Sequence, residues 1–419
     1  MVSDSFSKHI DLMTRKWIVL VIFIFSQVSC SLAVERNNDE DHDHSLTENS
    51  EITPGAWQTE KYFPLLDGKA IALVGNHSSL VDDVHLVDTL LASGFNLLRV
   101  FSPEHGFRGE AADGQLIESG IDPVTGISIK SLYGANRRPD PSHIKDLDLI
   151  IFDIQDVGTR FYTYISTMSY VMEEAARQGV PMLILDRPNP NGHFVDGPIL
   201  EKQHSTFVGL HPIPIVHGMT VAEYAQMVNG QGWLGDGLKC ELQIVPVKNY
   251  NRQMWYELPV APSPNLPNMT SIMLYPGLCL MEGTVLSIGR GTDFPFQVYG
   301  HPKLPESEFP FTFTPQSRRE SVYPPQESNL CFGRDLRTAN PEKLMDISKV
   351  DLQPLLHAFE HFPHKENFFI SSFERLAGTS KLRKQIMEGM TEEEIRETWQ
   401  QDLKEFIEMR KPYLIYPDL

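Results

Sequence analysis

The sequence predicts a doubly wound α/β domain, with helices covering both faces of a parallel sheet, followed by a smaller α+β domain. Three observations carry this reading. Residues 69–74, 96–101, 147–152 and 181–185 are short, largely apolar runs without alternation, as strands buried on both faces are. Helical periodicity falls between such runs, at 82–93, 164–177 and 220–228, and alternating strands and helices make a parallel sheet. Polar residues gather just beyond the predicted strands, where an open parallel sheet places its ligands.

The 419 residues exceed one ordinary core and predict two domains. A formal charge of −19 speaks against a nucleic-acid partner, which needs a basic face. Cys30, Cys240, Cys279 and Cys331 are too few and too scattered for a disulfide framework, and no zinc spacing joins them.

Residues 1–30 read as a secretory signal. Arg15 and Lys16 precede an apolar run, 17–25, and the small residues Ser29, Cys30 and Ser31 follow. The run is too short to span a bilayer. Val28-Ser29-Cys30 resembles a bacterial lipobox, with Gln27 where leucine is usual. Plain export is one expectation; a membrane tether through a lipidated Cys30 is the other. Residues 31–55 are rich in Asp, Glu, Asn and His, His42 and His44 among them. They lack the apolar surface to offset chain entropy and read as an acidic tether.

Residues 56–265 form the predicted α/β domain. Its first strand, 69–74, ends at Gly75-Asn76, and the helix 82–93 closes at Gly94. The strand 96–101 leads into Ser102-Pro103-Glu104-His105-Gly106-Phe107-Arg108-Gly109. A polar loop, 102–141, precedes the strand 147–152, which Asp153, Gln155, Asp156 and Arg160 follow. The helix 164–177 ends at Gly179, and the strand 181–185 is followed by Asp186, Arg187 and Asn189. His217 precedes a helix with Thr220 as N-cap and Glu223 three residues on, a capping box. A last strand is expected at 241–247. Parallel strands end on one side of a sheet, so these polar groups should converge on one crevice. No G-x-G-x-x-G, Walker or G-x-S-x-G pattern is present at the strand ends, and no cofactor or metal is expected.

Pro262-Ser263-Pro264-Asn265-Leu266-Pro267 marks the junction. In the domain predicted at 266–419, Glu282-Gly283-Thr284 and Gly289-Arg290-Gly291-Thr292 set glycines around an acid and a base, as where backbone approaches a ligand. A long helix at 391–409 and a closing strand at 412–416 complete the reading.

The 102–109 motif, the stretch 153–164 (Asp-Ile-Gln-Asp-Val-Gly-Thr-Arg-Phe-Tyr-Thr-Tyr), Asp186-Arg187-Pro188-Asn189-Pro190 and the two glycine motifs together resemble the bacterial exo-β-N-acetylmuramidases of the NamZ type. The resemblance runs from about residue 69 to the C-terminus. It departs at Asn76-His77-Ser78-Ser79, where Asn-x-Thr-Gly is usual, and at Val285, where asparagine is common. It implies a Rossmann-like N-terminal domain, a smaller C-terminal one and a cleft between them. It also implies release of N-acetylmuramic acid from the non-reducing ends of peptidoglycan fragments.

Glycoside hydrolysis needs a protonated carboxyl for the leaving oxygen and normally a second carboxylate. Glu104 is the expected general acid, since the end of a buried strand is poorly solvated. His105 would tune that proton or bind a hydroxyl. Glu282 is the expected second carboxylate, with Asp153 and Asp156 as alternatives, and the substrate's own acetamido group is a third route. Arg160, Arg290 and then Arg187 are candidates for the lactyl carboxylate, which a guanidinium fork matches. Tyr162 and Tyr164 would stack on the sugar. Asn76, Gln155, Asp186, Asn189, His217 and Thr292 complete the expected substrate-binding set. Two other classes remain open: a non-catalytic muropeptide-binding protein, and a metal-dependent hydrolase using His105, Asp153, Asp156 and His217.

Overall fold

The computed structural model describes residues 51–104, 106–108, 119–134 and 136–418. The predicted signal, Cys30, nearly all of the tether, and His105 lie outside the described residues. The strands are β1 (Ala70–Gly75), β2 (Leu80–Val81), β3 (Val84–His85), β4 (Asn96–Ser102), β5 (Gly120–Ile121), β6 (Ser128–Ser131), β7 (Leu149–Asp153), β8 (Met182–Leu185), β9 (Leu242–Val245), β10 (Val298–His301), β11 (Phe311–Phe313) and β12 (Cys331–Asp335). The helices are α1 (Thr59–Leu66), α2 (Leu86–Ala92), α3 (Tyr164–Gln178), α4 (Val221–Gly230), α5 (Met269–Leu278), α6 (Gln353–His361), α7 (Phe373–Ala377), α8 (Lys381–Met387), α9 (Glu392–Glu397) and α10 (Gln400–Arg410).

Seven strands form one sheet in the order β5-β6-β4-β1-β7-β8-β9, parallel except for the β5–β6 edge. Alternate residues of each strand point to opposite faces. Ile71, Leu73, Leu97, Leu149, Ile151 and Leu183 pack with Tyr62 and Leu66 of α1 and Leu86, Val87 and Leu90 of α2. Ala72, Val74, Ile150, Phe152, Met182 and Ile184 pack with Ile165, Met168 and Met172 of α3 and Ala222 and Ala225 of α4. Both faces are therefore covered, as the unalternating runs predict. The second apolar cluster runs on through Leu266, Met269 and Ile272 to Phe359 and Phe406. The described residues accordingly form one compact unit, in which β10, β12 and β11 make a small antiparallel sheet.

The structure departs from the predicted elements where local chemistry intervenes. The helix expected from residue 82 starts only at Leu86, because β2 and β3 form a hairpin turned at Asp82, whose φ is 51°. His85 Nδ1 then caps α2 by accepting the Val87 N–H at 3.1 Å. The loop 102–141 contains β5 and β6, hidden in the sequence because every β6 residue is only half buried. The long C-terminal helix is broken between α9 and α10 at Trp399, whose buried indole N–H reaches Asp196 Oδ1 at 3.2 Å. The closing strand at 412–416 does not form; its backbone N–H groups are met by a side chain instead. Ile415 and Tyr416 N–H donate to Glu223 Oε1 at 2.8 and 3.2 Å. The capping box itself is present, with Thr220 N–H donating to Glu223 Oε2 at 2.9 Å.

Candidate active site

β1 lies between β4 and β7, so the chain leaves it first to one side and later to the other. A parallel sheet opens a crevice at such a switch, beyond the carboxyl ends of its strands. Glu104 stands two residues past β4 and lines a cavity there of about 70 Å³. Phe161, Tyr162, Thr163 and Tyr164 line it from the segment leading into α3. Ser263, Asn265, Leu266, Tyr275, Arg290 and Phe296 line it from the C-terminal part of the chain. Its volume is roughly two waters' share, so a sugar ring needs the cleft to widen or must extend beyond it. A larger groove of about 300 Å³, between residues 198–212 and α8 to α10, contains none of the residues singled out from the sequence.

Glu104 is half buried and accepts a hydrogen bond from Thr163 Oγ1 to Oε2 at 3.4 Å. Glu282 sits in the one-turn helix Cys279–Gly283, where its Oε1 accepts from Arg290 Nε at 2.6 Å. Cys279 Sγ approaches its other oxygen at 3.6 Å. Arg290 thus joins Glu282 to the cavity wall, and Asp293 pairs with Arg318 instead. The glycines beside Arg290 aim it: Gly289 and Gly291 have φ of 82° and 76°. A Cβ on either would lie 2.5 Å from the Phe294 carbonyl or 2.4 Å from that of Gln316, so only glycine fits. Phe296, under the guanidinium at 5.1 Å, has φ 55°, an outlier for a bulky residue.

Most of the other predicted site residues hold together the loops at the carboxyl ends of the strands. Asp153 and Arg187 form a buried bidentate ion pair at 2.6 and 2.9 Å. Burial alone would lower the Arg187 value, but Asp153 holds it above its ordinary value. Each spends its charge on the other, and neither lines the cavity. Arg160 is buried and donates to the carbonyls of Pro198, Ile213 and Leu376 at 2.7, 2.8 and 2.9 Å. Burial lowers it to about 9. It ties loops to the end of α7 and does not reach the cavity. Asn76 Oδ1 accepts from Ser78, whose Oγ accepts the Gln155 N–H at 2.9 Å. Gln155 Nε2 donates to the carbonyls of Asp156 and Pro188. Asn189 Nδ2 donates to Met219 O at 2.8 Å. Asp186 is buried against the Tyr416 hydroxyl, which donates to Oδ2 at 2.6 Å. Thr292 Oγ1 donates to Gly289 O at 2.6 Å, closing its own turn.

His217 is buried with Nδ1 accepting the Met219 N–H at 3.2 Å, and burial takes it down to about 3. It shares no cluster with Asp153 or Asp156; among the described residues, the group of metal-type ligands is Glu308, His357 and His361. Tyr162 and Tyr164 line the cavity but meet edge to face at 4.9 Å, with both hydroxyls donating to Pro262 O. Being 7 % and 2 % exposed, they offer no open face for stacking. Thr163, Asn265 and Tyr275 also line the cavity but are not among the expected site residues, because an uncharged side chain within or beside a motif carries no signal of its own.

Asp156 is buried, within electrostatic reach of both tyrosines. Its Oδ1 accepts the Gly158 N–H at 2.7 Å, and Oδ2 meets no partner. Burial pushes its carboxyl up to about 7, against the Gly158 and Val157 N–H groups. A folded value above the unfolded one means stability that is complete below the unfolded carboxyl range, about 4, and is lost as pH rises through about 7. Asp156→Asn should therefore flatten the fall in stability between those limits, measured by urea unfolding across pH. Equal slopes for the two proteins would refute this.

The family model described as exo-beta-N-acetylmuramidase NamZ, N-terminal, matches residues 71–270, and its C-terminal counterpart matches residues 273–416. A Bacillus subtilis (strain 168) protein, peptidoglycan beta-N-acetylmuramidase NamZ, is 38% identical over 372 residues, covering 85% of this chain and 89% of the relative. A crystal structure of a DUF1343 family protein from Bacteroides fragilis NCTC 9343 is 46% identical with a TM-score of 0.82, covering 88% of this chain and 100% of that one. A second from the same organism is 25% identical with a TM-score of 0.77, covering 87% and 99%.

Proposed function

The chain belongs to the NamZ exo-β-N-acetylmuramidase family and is a glycosidase, and on that premise we propose that it removes N-acetylmuramic acid from the non-reducing ends of peptidoglycan fragments, with Glu104 as general acid. The observation that carries the assignment is Glu104 in the switch-point cavity with Arg290, itself bound to Glu282, in the same wall. Glu104 protonates the leaving glycosidic oxygen as the anomeric carbon gains positive charge. Glu282, whose Oε1 accepts from Arg290 Nε at 2.6 Å, is the carboxylate we assign to serve that charge or to orient the acetamido group. Arg290 is the guanidinium that lines the cavity, where it would meet the substrate's lactyl carboxylate while paired with Glu282; Arg160 and Arg187 do not line it.

A chromogenic β-N-acetylmuramide, its lactyl methyl ester and the matching glucosaminide, assayed side by side, test this reading. The free acid should be cleaved fastest. A charged hydrogen bond contributes about 1.5–3 kcal/mol, so the ester should lose roughly 10- to 100-fold in kcat/KM. Preference for the glucosaminide would overturn the substrate; equal rates for acid and ester would remove Arg290 from its recognition.

The basic flank, short apolar core and small residues of 1–31 support export, with a Cys30 tether if the lipobox resemblance holds. Among the described residues no helix is long and apolar enough to cross a membrane. The N-terminal residue of the mature protein, and whether it carries lipid, decides between free and tethered forms.

A further inference from the structure

Outside the cavity, three ligand-type side chains converge on one point. His357 and His361 lie four residues apart on α6, which sets them on one face, one turn apart. Glu308, from the turn before β11, reaches the same point. One ligand atom from each lies within 4.8 Å of the other two, and all three side chains are half buried. None of them lines the catalytic cavity.

The groups around these ligands also hold them in place. His361 Nδ1 is 3.0 Å from the carbonyl oxygen of His357. That contact needs a proton on Nδ1, which leaves the Nε2 lone pair as the ligand. Donation of the second ring nitrogen to a backbone carbonyl is how metal-binding imidazoles are commonly oriented. Phe309 packs against both rings, at 4.7 and 5.8 Å, and limits their rotation. Arg334 is the cation facing His357, and Glu308 and Glu360 are the acids there, so the carboxylates outnumber it.

We propose that Glu308, His357 and His361 bind a divalent transition metal of the zinc class. Two imidazoles with one carboxylate suit zinc, cobalt or nickel, whereas magnesium and calcium prefer all-oxygen sets. Metal–ligand bonds of about 2.0–2.2 Å put ligand atoms roughly 3.3–3.6 Å apart, so side-chain rotations of about an ångström close the site. Three protein ligands leave a position for water. The ion would pin the segment carrying Glu308 and Phe309 to α6, a structural role separate from glycoside cleavage.

The test is titration of the full-length protein with Co(II), read by visible absorption, and with Zn(II), read by calorimetry and by Tm. A His42→Asn/His44→Asn background removes the closely spaced histidine pair of the N-terminal segment. One ion per chain should bind in that background and raise Tm. His361→Gln and Glu308→Gln should each weaken binding by at least about 10- to 100-fold, the loss that even an outer partner of a ligand causes, and cancel the Tm rise. Unchanged muramidase activity in both variants would show that they remain folded. Absence of binding, binding indifferent to both substitutions, or binding lost with His42 and His44 alone would each overturn the site.

Discussion

Glu104→Gln is expected to lower kcat by about 10²–10⁴-fold on a substrate with a poor leaving group, the range that general acid catalysis contributes. The amide keeps the shape of the side chain and can still meet Thr163 Oγ1, 3.4 Å away in the native protein, so folding should be preserved. The decisive readout is leaving-group dependence. An acidic phenol departs without protonation, so a dinitrophenyl muramide should recover most of the lost rate, while an unactivated muropeptide should not. The limb of the kcat/KM profile that falls as pH rises should also vanish, since it reports the acid. A variant that cleaves both substrates at the native rate would remove Glu104 from the reaction and leave Glu282 as the carboxylate to test.

Arg187→Met is expected to destabilise the protein by about 3–5 kcal/mol, the cost of stranding one member of a buried ion pair. Asp153 and Arg187 have side chains 0% and 1% exposed, joined through two contacts. Burial already pushes Asp153 above its ordinary value, and Arg187 pulls the other way; without that pull the carboxyl must be protonated in the fold. The deficit should therefore shrink toward acid pH, where the unfolded chain is protonated too. The double variant Asp153→Leu/Arg187→Met should regain much of the loss, because a buried pair replaced by apolar groups is often neutral. Urea unfolding of the four proteins closes the cycle. A double variant no more stable than Arg187→Met would show that the pair is not what the single substitution breaks.

The two predictions separate kinds of residue that the sequence presents alike. Glu104, Asp153 and Asp186 all follow predicted strands, and all point to one crevice by the same rule. Glu104 lines the cavity, whereas Asp153 and Asp186 are sealed by Arg187 and Tyr416. Arg160 and Arg290 likewise both sit within two residues of a glycine and near acids in the chain. One donates to three carbonyls in the interior; the other binds Glu282 at the cavity wall.

The parallel sheet, the crevice beyond its strands, the α4 capping box and the glycine pair around Arg290 were legible in the sequence. Each depends on residues close in the chain: unalternating apolar runs, a cap three residues from its partner, a left-handed backbone that only glycine adopts readily. Which charged groups face substrate and which are spent on one another was decided only in three dimensions. Asp153 meets Arg187 across 34 residues, and Asp186 meets Tyr416 across 230. A buried charge survives only beside a partner, and the partner's identity is a property of packing, not of chain order.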